Sequence, residues 1–165
     1  MSDLLIPLGT TDTVAVIDSA DAELVLAHRW TRRSKHDYWY AIEVNGCCAY
    51  SGRFLHNVIM GTTYVDHIDG DGLNNRRANL RRASHEQNNR NRRAWGGTSA
   101  YKGVSRHFNR WVTTIRIDGL SVVTRHDTEA AAAQDYDRLA RETRGQFGRY
   151  NFPLPGEQSA LRKGF

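Results

Sequence analysis

The pattern of hydrophobic and polar positions at the start of the chain predicts a strand and then a short helix. Residues 13–18 have the β-branched and apolar composition of a strand. Apolar side chains recur at helical spacing between Ala22 and Trp30, which predicts a short amphipathic helix. Residues 32–35 are polar and basic and predict a break. Residues 1–49 are therefore interpreted as a strand-rich N-terminal module.

Three signals follow in the next stretch of the chain. Residues 38–44 are aromatic and β-branched and predict a strand. Asn45 and Gly46 form the strongest short hairpin signal, with residues 47–50 as the return strand. The segment from Phe54 to Met60 reads as a short helix that Gly61 ends in the left-handed conformation.

The middle of the chain predicts the order strand, loop, strand, helix. The two strands cover residues 64–67 and 80–83, and the loop between them is rich in Gly, Asp and Asn. Ser84 and Gln87 have the spacing of a capping box, which predicts a helix that continues through Arg93.

The C-terminal part predicts a three-stranded sheet backed by one helix. Asp118 and Gly119 form the turn between the last two strands. An Ala-rich segment over residues 129–144 predicts the helix, and Gly145 ends it. The predicted strands are residues 102–106, 111–117 and 120–123. The helix positions that should face the sheet are Ala132, Tyr136, Leu139 and Ala140.

Changes in composition divide the chain into successive regions. A stretch of small residues predicts a flexible linker, and a Pro/Gly/Ser segment without periodicity, from Pro153 onward, predicts a disordered tail. The predicted order is an N-terminal module (1–49), a core (50–93), a linker (94–100), a sheet-and-helix domain (101–153) and a tail (154–165).

The amino-acid composition indicates which class of partner the protein binds. The net charge is +5, and arginine, which grips phosphate bidentately, far outnumbers lysine. This favours a polyanion such as nucleic acid, although a merely soluble basic surface has the same composition. The only cysteines are the neighbours Cys47 and Cys48, so neither a disulfide framework nor a zinc cluster is expected. Without a signal peptide or an apolar run of ~20 residues, a cytoplasmic protein without a membrane segment is expected.

Four side chains of the middle segment have the chemistry of metal-assisted phosphodiester hydrolysis. That reaction needs an activated water, a Lewis acid and support for the leaving oxygen. Asp66 offers an anionic oxygen and Asn88 a neutral carbonyl oxygen to a hard cation such as Mg²⁺. His67 projects to the other side of the strand and suits a general base. Asn79 can fix the imidazole or the loop by hydrogen bonds.

The same segment also has purely structural interpretations. Asp-Gly and Asn-Asn runs are common turn material, so Asp69, Asp71, Asn74 and Asn75 are expected to shape the loop rather than to bind metal. A calcium loop of the EF-hand type is rejected, because its alternating oxygen pattern is interrupted and its twelfth position lacks Glu.

The segment VDHIDGDGLNNRRANLRRASHEQNNRN resembles the ββα-metal motif of HNH (His-Me finger) endonucleases, in the zinc-free branch of phage and intron homing enzymes. The resemblance implies His67 as general base, Asp66 and Asn88 as metal ligands and Asn79 as the residue that braces the loop. Asn88 in place of the motif's last histidine resembles the H-N-N nickases, and His85 is a weaker substitute for that position. Upstream, His56 either packs under the site or touches phosphate, with packing favoured.

Arginines follow the candidate site in close succession. Such a run is usually a solvated face, but beside a hydrolytic site it is interpreted as a set of phosphate contacts. The residues are Arg76, Arg77, Arg81, Arg82, Arg90, Arg92 and Arg93.

The C-terminal unit resembles the Apetala-type (ethylene-response-factor) DNA-binding domain, a three-stranded sheet laid in the major groove and backed by one helix. The resemblance rests on YKGV at residues 101–104, residues 111–116, DTEAAA at 127–132 and NFP at 151–153. Trp111 is expected in the core, and the third strand is apolar where the family has contacts. By position, the expected DNA contacts are Lys102, Ser105, His107, Thr114 and Arg116.

Together these features predict an α+β endonuclease that cleaves double-stranded DNA with a divalent metal, Mg²⁺ with Mn²⁺ as the alternative, and without zinc. With one site per chain, a monomer would nick one strand, and a double-strand break would need a dimer or two successive nicks. A monomer or weak dimer is expected, and no obligate protein partner or membrane is implied. The expected setting is the cytoplasm of a bacterial host, with a phage or mobile element as the source. The alternatives are a DNA-binding regulator with an inactive nuclease core and an RNA-directed or structural nucleic-acid binder.

Overall fold

The computed structural model of the chain describes residues 2–35, 38–44, 52–94 and 97–161. It divides into two compact units, Met1–His85 and Glu86–Phe165. The predicted turn at Asn45 and Gly46 and its return strand lie outside the described residues. None of the helices in the described ranges combines the length and apolarity that a membrane span requires.

Two antiparallel hairpins begin the first unit. The first joins β1 (Asp3–Pro7) to β2 (Val14–Asp18), and the predicted strand at 13–18 is confirmed. A 3₁₀ turn and the short helix α1 (Ala22–Leu26) follow. The second hairpin joins β3 (Trp30–Lys35) to β4 (Tyr38–Glu43).

The start of β3 corrects two sequence-based expectations. Trp30 begins a strand instead of belonging to the helix, and the predicted polar break at residues 32–35 is wrong, because these residues pair with β4. Arg32 and Ser34 are exposed on β3, so their polarity marks the solvent side of a strand. A sequence window without its partner strand cannot distinguish these two cases.

The rest of the first unit carries the candidate site. Helix α2 (Leu55–Met60) ends at Gly61, which has φ +62° and confirms the predicted left-handed end. Strands β5 (Val65–His67) and β6 (Leu80–Arg82) pair antiparallel, as predicted. Both belong to the hydrophobic core of this unit, whose buried members are Ile6, Leu8, Ala15, Ile17, Val25, Trp30, Ala41, Leu55, Ile59, Val65 and Leu80.

The second unit contains the predicted sheet and helix. Helix α3 (His85–Arg90) stops three residues short of the predicted end and contains the boundary between the units. Strands β7 (Val104–His107), β8 (Arg110–Ile117) and β9 (Leu120–His126) form an antiparallel sheet in that order. Helix α4 (Glu129–Arg144) begins where the Thr128 side chain accepts a hydrogen bond from the Ala131 N–H. The three strands, the helix and the four buried α4 positions are confirmed.

Ala94 and the segment that follows this domain are held by specific contacts. The Ala94 N–H donates to the Ala160 carbonyl at 2.8 Å, and Ala160 is fully buried. Glu157 forms an ion pair with Arg141 at 2.8 Å. The expectation of a disordered tail is therefore wrong for residues 154–161, because one apolar anchor and one ion pair hold this segment despite its lack of periodicity.

Candidate functional site

Asp66 lies on β5 opposite Arg81 of β6, and the two side chains form a buried ion pair. Arg81 donates from Nη2 and Nε to Asp66 Oδ2 at 2.7 and 2.9 Å. The side chains are 4% (Asp66) and 12% (Arg81) exposed, so little water screens the pair. Strand pairing therefore presents Asp66 as an anion at the centre of the candidate site.

His67 follows Asp66 and points to the other face of β5. It is buried, and its ring meets the ring of His56 edge to face, with centroids 4.7 Å apart. Burial lowers the pKa of His67 below its usual value, although the hydrogen bond to Asn75 and the nearby carboxylates act in the raising direction. The imidazole is consequently neutral at pH 7, which is the form a general base requires.

Asn75 holds the imidazole of His67 in one orientation. The Asn75 side chain is fully buried, and its Oδ1 lies 3.3 Å from His67 Nε2. Asn75 Nδ2 donates to the Gly72 carbonyl at 3.4 Å, so the amide oxygen is the group turned to the ring. His67 Nε2 must then carry the proton and donate it, which leaves the lone pair on Nδ1. From the sequence, Asn75 was expected only to shape the loop.

His56 packs beneath the site, as the sequence analysis favoured. Its ring stacks on Phe54 with centroids 5.3 Å apart and an interplanar angle of 12°. Burial, followed by the charges of His67 and Lys35, lowers the pKa of His56 to about 3. His56 is therefore a neutral neighbour of His67 over the physiological pH range.

Asn79 braces the loop between β5 and β6. Its Oδ1 accepts from the Asp69 N–H at 3.0 Å, and its Nδ2 donates to Asp69 Oδ1 at 2.9 Å and to the Asn74 carbonyl at 2.7 Å. Asp69 Oδ1 also accepts from the Asp71 N–H at 2.7 Å. This geometry is the loop-bracing arrangement that the sequence predicted for Asn79, and it agrees with the loop-shaping role of Asp69.

The loop is also fixed from outside by β2 and β4. The Val16 N–H donates to the Leu73 carbonyl at 2.8 Å, and the Asn75 N–H donates to the Val16 carbonyl at 2.7 Å. A Cβ atom at Gly72 would lie 2.4 Å from the Trp39 carbonyl oxygen, so only glycine fits there. The loop therefore approaches the backbone of β4 closely and carries Asn75 to His67.

Several predicted phosphate contacts are engaged with carboxylates of their own unit. Arg76 pairs with Asp3 at 2.5 Å, and Arg77 pairs with Asp21 at 2.6 Å. Asp3 and Asp21 lie far from the arginines along the chain, which is why the sequence did not reveal these two partners. Arg81 is likewise paired with Asp66. These three ion pairs reduce the positive charge that the arginine segment of the first unit has available for phosphate groups.

The remaining arginines of the run differ in exposure. Arg82 is exposed on β6, and Arg90 pairs with Glu86 at 2.7 Å within α3. Arg92 and Arg93 are half-buried, and Arg93 donates to the Leu161 carbonyl at 3.5 Å.

Asn88 lies on α3 in the second unit, whereas Asp66, His67 and Asn79 lie in the first. Two cations hold the backbone that directly follows α3. Lys102 Nζ donates to the carbonyls of Arg90 and Arg92, both at 2.5 Å. The buried Arg149 donates from Nε to the carbonyl of Asn91 and, at 3.0 Å, to its Oδ1. We call these contacts the cationic clasp.

The clasp corrects the expectation for Lys102, which was predicted to read DNA from the sheet. Lys102 lies before β7 rather than in the sheet, and its ammonium group binds the carbonyls of Arg90 and Arg92. Burial, with the charges of Arg149, Arg144 and Arg92, lowers the pKa of Lys102 to about 7.

The other expected DNA contacts share one face of the sheet. The register pairs Ser105 with Val112 and Val112 with Arg125, and opposed residues lie on the same face. With the alternation along each strand, this face carries the exposed side chains of Ser105, His107, Arg110, Thr114, Arg116, Ser121, Val123 and Arg125. Alpha-helix α4 packs on the opposite face, where Trp111 joins the core as expected.

Two cations of this face were missed from the sequence. Arg125 was overlooked because the third strand was read as apolar and was expected to end at residue 123, whereas β9 continues to His126 and alternation places Arg125 on the face of Ser121 and Val123. Arg110 was overlooked because it begins β8, and it pairs with Asp127.

Within the described ranges, no group of three or more His, Cys, Asp or Glu side chains is arranged to hold a metal ion. The donors that the sequence predicted, a carboxylate from Asp66 and a carboxamide from Asn88, are both hard oxygen ligands.

Comparison with known proteins identifies the segment that carries this geometry. Residues 61–90 match the sequence model of a family described as HNH endonuclease. The match spans β5, the braced loop, β6 and all of α3. The chain is also 31% identical over 105 residues to an uncharacterized HNH endonuclease of Acanthamoeba polyphaga mimivirus, covering 60% of this chain and 55% of the relative. It thus spans about half the length of that relative. No solved structure matches the chain significantly.

Proposed function

We propose that the chain is a metal-dependent endonuclease that hydrolyses phosphodiester bonds in double-stranded DNA. One observation carries the proposal: the stretch that matches the HNH endonuclease family is the same stretch that holds a buried anion at Asp66, an oriented neutral imidazole at His67 and the bracing amide of Asn79. The relative's name describes an endonuclease as well.

His67 acts as the general base in this proposal. Its burial keeps the ring unprotonated, and Asn75 keeps the proton on Nε2, so Nδ1 removes a proton from the attacking water. Asn79 holds the loop that carries Asn75, which makes it a positioning residue. The orientation of the base is therefore built into the fold before DNA binds.

Asp66 and Asn88 are the proposed ligands of the metal. Their hard oxygens suit Mg²⁺ or Mn²⁺, whereas zinc prefers nitrogen and sulfur. Asp66 already balances a positive group, Arg81, in a low-polarity setting, which supports its capacity to hold a cation. When bound, the divalent ion supplies a Lewis acid for the phosphate and the leaving 3′ oxygen.

The exposed face of the C-terminal sheet is the proposed DNA-reading surface. It carries the exposed side chains of Arg116 and Arg125, and the order of three antiparallel strands and one helix supports the proposed relation to the Apetala-type domain. Phosphate contacts from such a face position the nuclease unit, and base contacts would select the target. A phage or mobile-element homing role, with a nick as the product of one site, completes the proposal.

A plasmid-nicking assay in Mg²⁺ tests the function. We expect the wild type to convert supercoiled to nicked plasmid, and His67→Ala, shown to be folded by circular dichroism, to be inactive. Equal activity of the two proteins would refute the nuclease assignment. Tight DNA binding without nicking by the wild type would instead indicate a DNA-binding regulator with an inactive core.

A further inference from the structure

The β3–β4 hairpin stands beside the candidate base through one side chain, Tyr40. The Tyr40 ring lies with its centroid 5.9 Å from that of His67 and 5.9 Å from that of His56. The face of the hairpin that carries Tyr40 is therefore the face next to the site.

The strand register identifies which residues share that face. Arg33 is paired with Tyr40 and Lys35 with Tyr38, and paired residues project to the same side of a sheet. Lys35 is exposed, and its charge is felt at His56, where it is one cause of the lowered pKa. Two cations and a phenol thus extend from the base along one side of the hairpin.

Residues on this face of the two strands include no Asp or Glu: they are Thr31, Arg33, Lys35, Tyr38, Tyr40 and Ile42. The carboxylates nearest in the site have other partners, since Asp66 pairs with Arg81 and Asp69 is bonded within the loop. The charged side chains that the two strands place on this face are therefore the cations Arg33 and Lys35.

The arginine on the opposite face of the same hairpin has different contacts. Arg32 lies over the Trp39 ring, 4.8 Å from its centroid, and donates to Thr13 Oγ1 at 3.1 Å. Its guanidinium serves the packing of the hairpin on the side away from Tyr40. One strand therefore carries two arginines in neighbouring positions with different surroundings.

We propose that the hairpin face formed by Arg33, Lys35 and Tyr38 binds the phosphate backbone of the DNA strand to be cut, beside His67. This surface lies in the N-terminal part of the chain, outside the segment that matches the endonuclease family. Arg33 and Lys35 add positively charged side chains to the surface beside the base. The inference rests on the proposed function, since it assumes that DNA is the substrate held at His67.

Binding of a fluorescent duplex to proteins that carry His67→Ala tests the surface without cleavage. Affinity is measured as a function of salt for Arg33→Ala, Lys35→Ala, the double variant and the matched control Arg32→Ala. We expect each lost phosphate contact to reduce the log–log salt slope by about 0.9, and the double variant by about twice that. Arg32→Ala makes the same change of charge on the opposite face and should keep the wild-type salt slope. Lys35→Arg keeps the positive charge and should bind DNA like the wild type, unlike Lys35→Ala.

Nicking by the same variants in the active protein separates this inference from the nuclease assignment. We expect a higher KM with a smaller change in kcat for Arg33→Ala and Lys35→Ala, at unchanged melting temperatures. Wild-type slopes and KM values in a protein that nicks would overturn the hairpin surface and leave the nuclease intact. A wild type that never nicks, but whose hairpin variants lose slope, would reject the nuclease and support the surface as a DNA contact.

Discussion

Removal of Arg81 should expose the energetic cost of the buried carboxylate of Asp66. In an Arg81→Met variant the methionine keeps most of the apolar stem, but the carboxylate, in a side chain only 4% exposed, loses its cation. Removing one partner of a buried ion pair costs about 3–5 kcal/mol. Because Arg81 retains some exposure, we expect the lower end, about 3 kcal/mol, which corresponds to a fall of roughly 12–24 °C in the melting temperature of a unit of this size.

Divalent metal should reverse part of this loss. A cation bound at Asp66 replaces the missing positive charge, and a ligand at one hundred times its Kd stabilises a fold by about 2.7 kcal/mol. Thermal melts with and without Mg²⁺, or Ca²⁺ to avoid turnover, measure the effect. We expect the metal-induced rise in melting temperature to be larger in Arg81→Met than in wild type, where the metal competes with Arg81 for the carboxylate.

Arg82→Met is the matched control, because Arg82 is the next residue of β6, has the same charge and is exposed. It should melt close to wild type, since exposed charges contribute little. If Arg81→Met without metal also melts within about 2 °C of wild type, the reasoning from the buried ion pair is refuted.

Three further predictions concern other buried groups. The pKa of His56 is about 3, so between pH 6.5 and 3 the unfolded chain binds a proton that the folded chain does not. From pH 6.5 to 5, wild type should lose about 2 kcal/mol of stability relative to His56→Leu in urea denaturation, and parallel profiles would contradict this. Asn75→Ala should lower kcat on the order of 10–100-fold at unchanged KM by releasing His67, and an unaltered kcat would exclude that role. Lys102→Met should destabilise the second unit by about 1–3 kcal/mol, because the carbonyls that Lys102 binds lose their donor, whereas Lys102→Arg should retain most of the stability. Hydrogen exchange of the α3 amides measures the stability of both variants.

The elements that the sequence predicted well are those with local causes. The turn at Asp118 and Gly119 needs two positive φ values, and both residues adopt them, at 48° and 83°. The helix α4 has its own cap, propensity and apolar face. The adjacency of Asp66 and His67 on a short strand likewise follows from neighbouring residues alone, so the centre of the candidate site was accessible from sequence.

The features that the sequence did not reveal depend on distant partners. Arg76 meets a carboxylate 73 positions away in the chain, and Arg77 meets one 56 positions away. The assignment of Asn75 to His67 required the contact of the loop with β2, which no local pattern encodes. Charge runs and turn residues therefore indicated the correct region but not which side chains were already engaged.

The cationic clasp has a consequence for recombination between related proteins. Lys102 and Arg149 stabilise the second unit by holding the backbone of residues 90–92. The helix that carries Asn88 therefore depends on side chains of the sheet domain. A chimera joined within residues 94–100 would combine a helix end from one parent with clasp residues from the other. Exchanges between parents should therefore yield folded hybrids more often when the junction precedes Glu86, and a C-terminal sheet domain taken from another protein would bring its own copy of that helix.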